Sequence, residues 1–198
     1  MKKIIYLIFL FQLMIHGTGM AQSGVTIISG TIHTASDKVV KNVNIYVINS
    51  SQDFFTQVIA VDGSFSIEVP AGDTYEVYFS KEGSPLNGVS TFDLVLTSKH
   101  ILNLAPYHSF YSILAMDTNG SQTVTVFDIL ITRQLVLGSL NSFPTSSWKF
   151  LEAMSDPTDF STPPPVNTLS VTVTEGETKV LDIIAVKTGD VNDSAVGG

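Results

Sequence analysis

The sequence predicts a multi-domain α+β protein: a small N-terminal β-sandwich, then a two-helix module that carries two polar loops and an added β-hairpin. Three observations predict it. Apolar and polar residues alternate from Val25 to about Ser80, the period of half-buried strands. A segment starting at Gly88 recurs 35 residues later with its apolar pairs at helical spacing. Further on, "NTLSVTVTEGETKVLDIIAV" places two apolar runs around Glu175-Gly176-Glu177, which reads as a hairpin.

The first element is a leader. Residues 1–21 begin with two lysines, continue with an apolar run from Ile4 to Ile15, and end with Gly19 and Ala21 before Gln22. That is the pattern of a secretory signal peptide, and it predicts a secreted or cell-surface protein. The run is shorter than the about 20 apolar residues that span a bilayer, so no membrane insertion is expected. The chain contains no Cys, so no disulfide framework staples it. Its formal net charge is −8, and loss of the two leader lysines leaves 8 basic residues against 18 acidic ones. Such a balance repels nucleic acid and anionic membranes and suits bound cations.

Residues 22–82 form the predicted sandwich. Val43, Ile45 and Val47 alternate in one strand, and Phe65, Ile67 and Val69 in another. Asp62-Gly63 reads as a hairpin turn, and Pro70-Ala71-Gly72-Asp73 as the break before "TYEVYFS". The residues Gly30, Val43, Gly63, Phe65, Pro70, Gly72 and Tyr75 follow a Gly-x-Ile, Gly-x-Phe, Pro-x-Gly, Tyr-x-Val order. In this the segment resembles the carboxypeptidase regulatory-like (prealbumin-like) domains of secreted bacterial proteins. The resemblance implies a spacer or binding module, in which Tyr46, Tyr75 and Tyr78 are core or strand-face aromatics.

Residues 83–198, with an insertion at 141–180, form the predicted second module. "GVSTFDLVLTSKHILNL" aligns without gaps on "TVTVFDILITRQLVLGS", matching Phe92-Asp93 to Phe127-Asp128. The apolar pairs Leu94-Val95 and Ile101-Leu102, with Ile129-Leu130 and Val136-Leu137, are expected to pack the two helices together. Ahead of the second helix, oxygen-bearing residues fall at alternate positions of a twelve-residue loop. They are Asp117, Asn119, Ser121, the Thr123 carbonyl, Thr125 and the closing Asp128. Calcium (Ca2+) takes six to eight oxygens at roughly 2.3–2.6 Å, and this alternation turns them toward one centre. The loop ahead of the first helix fails when read contiguously, because Leu86 falls at its fifth position. Its back half is sound, with the Gly88 carbonyl, Ser90 and Asp93 in place. The tail supplies the missing half, since Asp190-x-Asn192-x-Ser194 repeats the order of Asp117-x-Asn119-x-Ser121. A split site follows, and two calcium ions are predicted in all.

Duplicated loop-helix units closed by Asp, together with "FPTSSWKF" and "IAVKTGDVN", resemble the dockerin-like (dockerin type I-related) modules of Bacteroidota-type secreted proteins. The resemblance implies an EF-hand-like calcium-loop module and a cohesin-like or cell-surface protein partner, in a polysaccharide-processing assembly. Dockerins engage cohesins near loop positions 10 and 11. Those positions hold Thr91-Phe92 and Val126-Phe127, and both phenylalanines are expected to point inward.

No enzyme is predicted. The chain lacks a Gly-x-Ser-x-Gly elbow, a His-Glu-x-x-His pair and a phosphate loop. Two other readings are a carbohydrate-binding sandwich accessory module, with a polysaccharide as partner, and a non-catalytic fragment of a larger secreted glycoside hydrolase.

Overall fold

The computed structural model describes residues 24–159 and 164–197; the signal peptide expected at 1–21 lies outside them. Five strands come first: β1 (Val25–His33), β2 (Val43–Asn49), β3 (Phe55–Ala60), β4 (Ser64–Pro70) and β5 (Thr74–Ser80). Three helices follow: α1 (Thr91–Ile101), α2 (Phe110–Met116) and α3 (Val126–Val136). The strands β6 (Trp148–Glu152), β7 (Thr168–Thr172) and β8 (Thr178–Lys187) complete the chain order.

These late strands overturn the expected fold class. Among the described residues there are two four-stranded sheets, ordered β4-β1-β8-β6 and β3-β2-β5-β7, with three short helices. The architecture is a β-sandwich, not an N-terminal sandwich followed by an α+β, helix-rich EF-hand-like module. β8 inserts between β1 and β6, parallel to β1, while β7 adds to β5. One apolar core therefore mixes Ile28, Val43, Ile45 and Val77 with Trp148, Phe150, Leu169, Val171, Leu181 and Ile183. The 141–180 segment contributes β6, β7 and the start of β8 to the two sheets.

Two expected hairpins also fail. β3 and β4, joined at Asp62-Gly63, lie in opposite sheets, as do β7 and β8, joined at Glu175-Gly176-Glu177. Turn chemistry reverses the chain but does not choose the strand it pairs with. For β8 the reason lies in its second half, which is buried on both faces. Ile183 enters the sandwich core, and Ile184 and Val186 pack outward under Phe110, Tyr111 and Leu114 of α2. A strand apolar on both faces belongs in mid-sheet, not at a hairpin edge.

The helices differ from expectation too. Among the described residues there are three, and α2 seats the outer face of β8. Leu135 and Ile131 of α3 are buried with Val89 and Phe143. Val95, Leu102, Leu130 and Leu137 are exposed rather than packed between helices, and Phe92 and Phe127 are 54% and 56% exposed, not inward.

Candidate metal centre

Each long helix opens with the same device. Ser90 caps α1 and Thr125 caps α3, each accepting from the N–H of the following phenylalanine at 3.2 Å. Each cap residue's N–H in turn donates to the aspartate three residues on, Ser90 to Asp93 Oδ2 and Thr125 to Asp128 Oδ2, both at 2.8 Å. The second carboxylate oxygen of each aspartate faces back into a loop.

In the contiguous loop that oxygen, Asp128 Oδ1, accepts from the Thr118 N–H at 3.0 Å. Asp117 accepts from the Ser121 N–H at 2.9 Å on Oδ1 and from the Gln122 N–H at 2.8 Å on Oδ2. The Ser121 hydroxyl donates to the Thr123 carbonyl at 3.1 Å, and Asn119 Oδ1 accepts from Ser121 N–H at 2.8 Å. The aspartates, the Thr123 carbonyl and Asn119 thus converge on one turn.

The tail reproduces this pattern against α1. Asp93 Oδ1 accepts from the Val191 N–H at 2.9 Å, although 98 residues separate them. Asp190 accepts from the Ser194 N–H at 3.0 Å on Oδ1 and from the Ala195 N–H at 2.6 Å on Oδ2. The Ser194 hydroxyl donates to the Gly88 carbonyl at 3.0 Å, as Ser121 does to Thr123. Even the backbone agrees, since Gly120 and Asp193 hold the fourth loop position with φ of +73° and +54°. Asp190, Ser194, Gly88, Ser90 and Asp93 are brought together; Asn192 sits exposed on the same turn.

The electrostatics set the problem these loops pose. Asp93, Asp117, Asp128 and Asp190 are only 1%, 5%, 0% and 4% exposed. Among the described residues the ion pairs within 4 Å are those of His33, and none reaches these four carboxylates. Burial raises the Asp190 carboxyl above its ordinary range, the Ser194 and Ala195 N–H groups oppose that, and the charge of Asp93 adds to it. Two buried lysines lie behind the loops. Lys149 Nζ donates to the Leu114 and Asp117 carbonyls, both at 2.8 Å, and Lys187 Nζ to the Pro85 carbonyl at 2.9 Å. Burial lowers each to about 8, against the pull of Asp117 and Asp128 on Lys149 and of Asp190 on Lys187. The lysines donate to backbone carbonyls and act on the carboxylates through their charge, while Asp93 lies near enough for its charge to act on Asp190.

The donor set fits a hard divalent cation. Every candidate ligand is oxygen, with two carboxylates per loop and neutral hydroxyl, amide and carbonyl oxygens making up the number that calcium takes. No three His, Cys, Asp or Glu converge anywhere among the described residues, and a site of two aspartates and neutral oxygens is of a leaner kind. Both Asp117 oxygens, Asp93 Oδ1 and Asp190 Oδ2 accept a single N–H and keep a further lone pair for an ion, whereas Asp93 Oδ2, Asp190 Oδ1 and both Asp128 oxygens take a second hydrogen bond.

The tail is held from the sandwich side as well. Asp193 Oδ2 accepts from the Thr34 hydroxyl at 2.6 Å and from the Ser36 N–H and hydroxyl, while Lys38 reaches the Asp193 carbonyl. Gly88 shows how closely the tail lies. Its φ is +75°, and a Cβ there would stand 2.5 Å from Asp190 Oδ2 and 2.6 Å from Ala195 N. Gly88→Ala is expected to cost about 1–3 kcal/mol for the left-handed backbone alone, and more for the clash. Gly138→Ala isolates the first part, because Gly138 has φ of +72° and open space around it. Urea unfolding of both variants should show the larger loss for Gly88.

Beside this anchor, His33 Nε2 lies 2.6 Å from Asp182 Oδ1 and Nδ1 lies 3.0 Å from the Thr34 carbonyl. Both neighbours only accept, so both ring nitrogens must donate, as in the imidazolium. Burial lowers the His33 pKa, but the Asp182 hydrogen bond, the Thr34 carbonyl and the charges of Asp182 and Asp37 outweigh it and raise the value above 6.5. A raised histidine stabilises the fold below its unfolded pKa, and that contribution is lost as pH climbs through the folded value. The stability difference between wild type and Asp182→Asn should therefore shrink above pH 6.5. It should stay within about 1 kcal/mol throughout, because Asp182 is exposed. Denaturant unfolding at several pH values checks both sign and size.

The lysines and the Asp193 anchor escape a reading of loop motifs. Their signals are a lone Lys inside each apolar run, "WKFLE" and "IIAVK", and an Asp at a loop position that ordinarily takes Gly. No protein-family model matches the chain, and no curated protein matches it.

Proposed function

We propose that the chain is a non-catalytic attachment module of a secreted or surface-bound protein, stabilised by two calcium ions. Its dockerin-like loops are carried on the side of a β-sandwich. The single observation that supports this reading is the matched geometry of the two loops. One is contiguous and one is assembled from segments about 100 residues apart, and each buries two carboxylates with one buried lysine nearby and, among the described residues, no ion pair within 4 Å. Two buried carboxylates against one lysine whose own charge burial disfavours leave net negative charge in each loop, which a bound cation would offset. Asp117, Asn119, Ser121, Thr123, Thr125 and Asp128 would hold one ion, and Asp190, Asn192, Ser194, Gly88, Ser90 and Asp93 the other. The helix surfaces beside the loops repeat as well: Phe92 and Val95 on α1 answer Phe127 and Leu130 on α3, all exposed. A protein partner of the cohesin-like kind would meet these residues.

Calorimetric titration tests the reading, with an expected stoichiometry of two ions per chain. Asp93→Ala and Asp190→Ala should each remove one ion, and the double variant should remove no more than either alone. Their effects on stability in calcium should be non-additive, whereas Asp128→Ala with Asp190→Ala should lose both ions and lie nearer to additivity. An Asp190→Ala protein that still binds two ions with unchanged affinity would sink the split site.

A further inference from the structure

A second binding surface lies on the sheet β3-β2-β5-β7. Along β2 the side chains of Val43, Ile45 and Val47 are buried, so those of Asn44, Tyr46 and Ile48 take the outer face. The register sets Tyr46 directly opposite Gln57 on β3 and Tyr78 on β5, with Phe55 one pair along β3. Tyr46 and Phe55 are stacked at 6.4 Å with their planes 26° apart, and Phe55 and Tyr78 are 64% and 42% exposed. Three rings on three adjacent strands, the half-buried Tyr46 between the exposed Phe55 and Tyr78, thus form a platform, with Gln57 and Glu76 set among them.

We infer that this platform binds a neutral, β-1,4-linked polysaccharide through stacking of pyranose rings on Phe55, Tyr46 and Tyr78. The Tyr46 and Phe55 ring centroids stand 6.4 Å apart on adjacent strands, a separation on the scale of one sugar, so neighbouring rings can serve successive residues. The apolar C–H face of an equatorially substituted pyranose matches an aromatic face, while its rim hydroxyls need donors and acceptors. Gln57 offers both, Glu76 accepts, and the tyrosine hydroxyls do either. Charge selects the class of glycan. The outward residues of these strands include one carboxylate, Glu76, and no Lys or Arg, on a chain of net charge −8. That repels uronic-acid polymers and offers no cation to hold them. The inference is independent of the calcium loops, which lie at the ends of α1 and α3.

The test is isothermal titration of the full secreted chain with cellohexaose and xylohexaose, with maltohexaose and polygalacturonate as contrasts. Binding of one or both β-1,4-linked hexamers, and not of the contrasts, is expected. Tyr46→Ala and Tyr78→Ala should each weaken it about tenfold, whereas Phe55→Tyr, which keeps the ring, should leave it within about twofold. Variants are compared only where their circular dichroism matches wild type, and Tyr78→Phe serves should Tyr78→Ala fail to fold. Three results would overturn the inference: no heat with either hexamer at about 10 mM, binding unchanged in the ring variants, or a concentration-dependent dimer that Phe55→Ala abolishes, which would give the face to a second copy.

Discussion

Residues 22–82 expressed alone are expected to be unfolded. The segment contains β1 to β5, yet β1 would lose its parallel partner β8, and β5 would lose β7. The core would also lose Trp148, Phe150, Leu169, Val171, Leu181 and Ile183, all buried against it in the whole chain. Six large side chains at roughly 1.5–3 kcal/mol each are together as large as the roughly 5–15 kcal/mol by which a domain is stable. Circular dichroism without a cooperative melt, and amide proton resonances crowded into the random-coil range, are the expected readings. Adding residues 141–198 as a separate peptide should restore part of the structure. A cooperative melt of 22–82 by itself would mean that the late strands decorate the sandwich rather than complete it.

Removing calcium should lower the melting temperature by about 10–20 °C. Two sites, each at 100 times its dissociation constant, contribute ~2.7 kcal/mol apiece, and a chain of this size shifts by about 2–4 °C per kcal/mol. The melt should remain one transition, since Ala195, five residues from Asp190, is part of the sandwich core, and freeing the tail uncovers that core. Scanning calorimetry in excess calcium and in excess chelator makes the comparison. Asp93→Ala, with one loop disabled, should show about half the chelator effect. Equal melting temperatures in both buffers would leave the four buried aspartates without the cation proposed for them.

What was legible in the sequence follows from the range over which each signal acts. Alternation in "VNIYVIN" and "SFSIEVP" marks strands and inward faces, because burial on one side of a sheet acts residue by residue. Ser90 with Asp93 and Thr125 with Asp128 mark helix starts, because capping is satisfied within one turn. Pairing partners were not legible. Asp62-Gly63 bends the chain whether the next strand joins the same sheet or the opposite one, and nothing local tells β8 to settle between β1 and β6. The continuous run Ile183 to Val186 held the clue, since a strand apolar on both faces requires a cover, and α2 supplies it. Phe92 and Phe127 were misplaced for a related reason. Helical spacing of apolar residues identifies a face but not what lies against it, and here the neighbouring buried positions are Asp93 and Asp128. The meeting of the two half-loops spans 98 residues, yet it can be read from residue types, because each half lacks the oxygens that the other carries.

The parallel pairing of β1 with β8 also sets a clock on the ribosome. Ile27 is matched with Thr178, so at synthesis rates of about 5–20 residues per second the first strand waits on the order of ten seconds for its neighbour. Through that interval the edge of β1 that later meets β8 stays open, and the apolar faces of β2 and β5 lack the side chains that will close over them. The nascent chain therefore cannot lock early, and it depends on slow non-local closure, in which a protected, extended precursor is an advantage. Docking of Asp190 onto α1 follows that pairing in chain order.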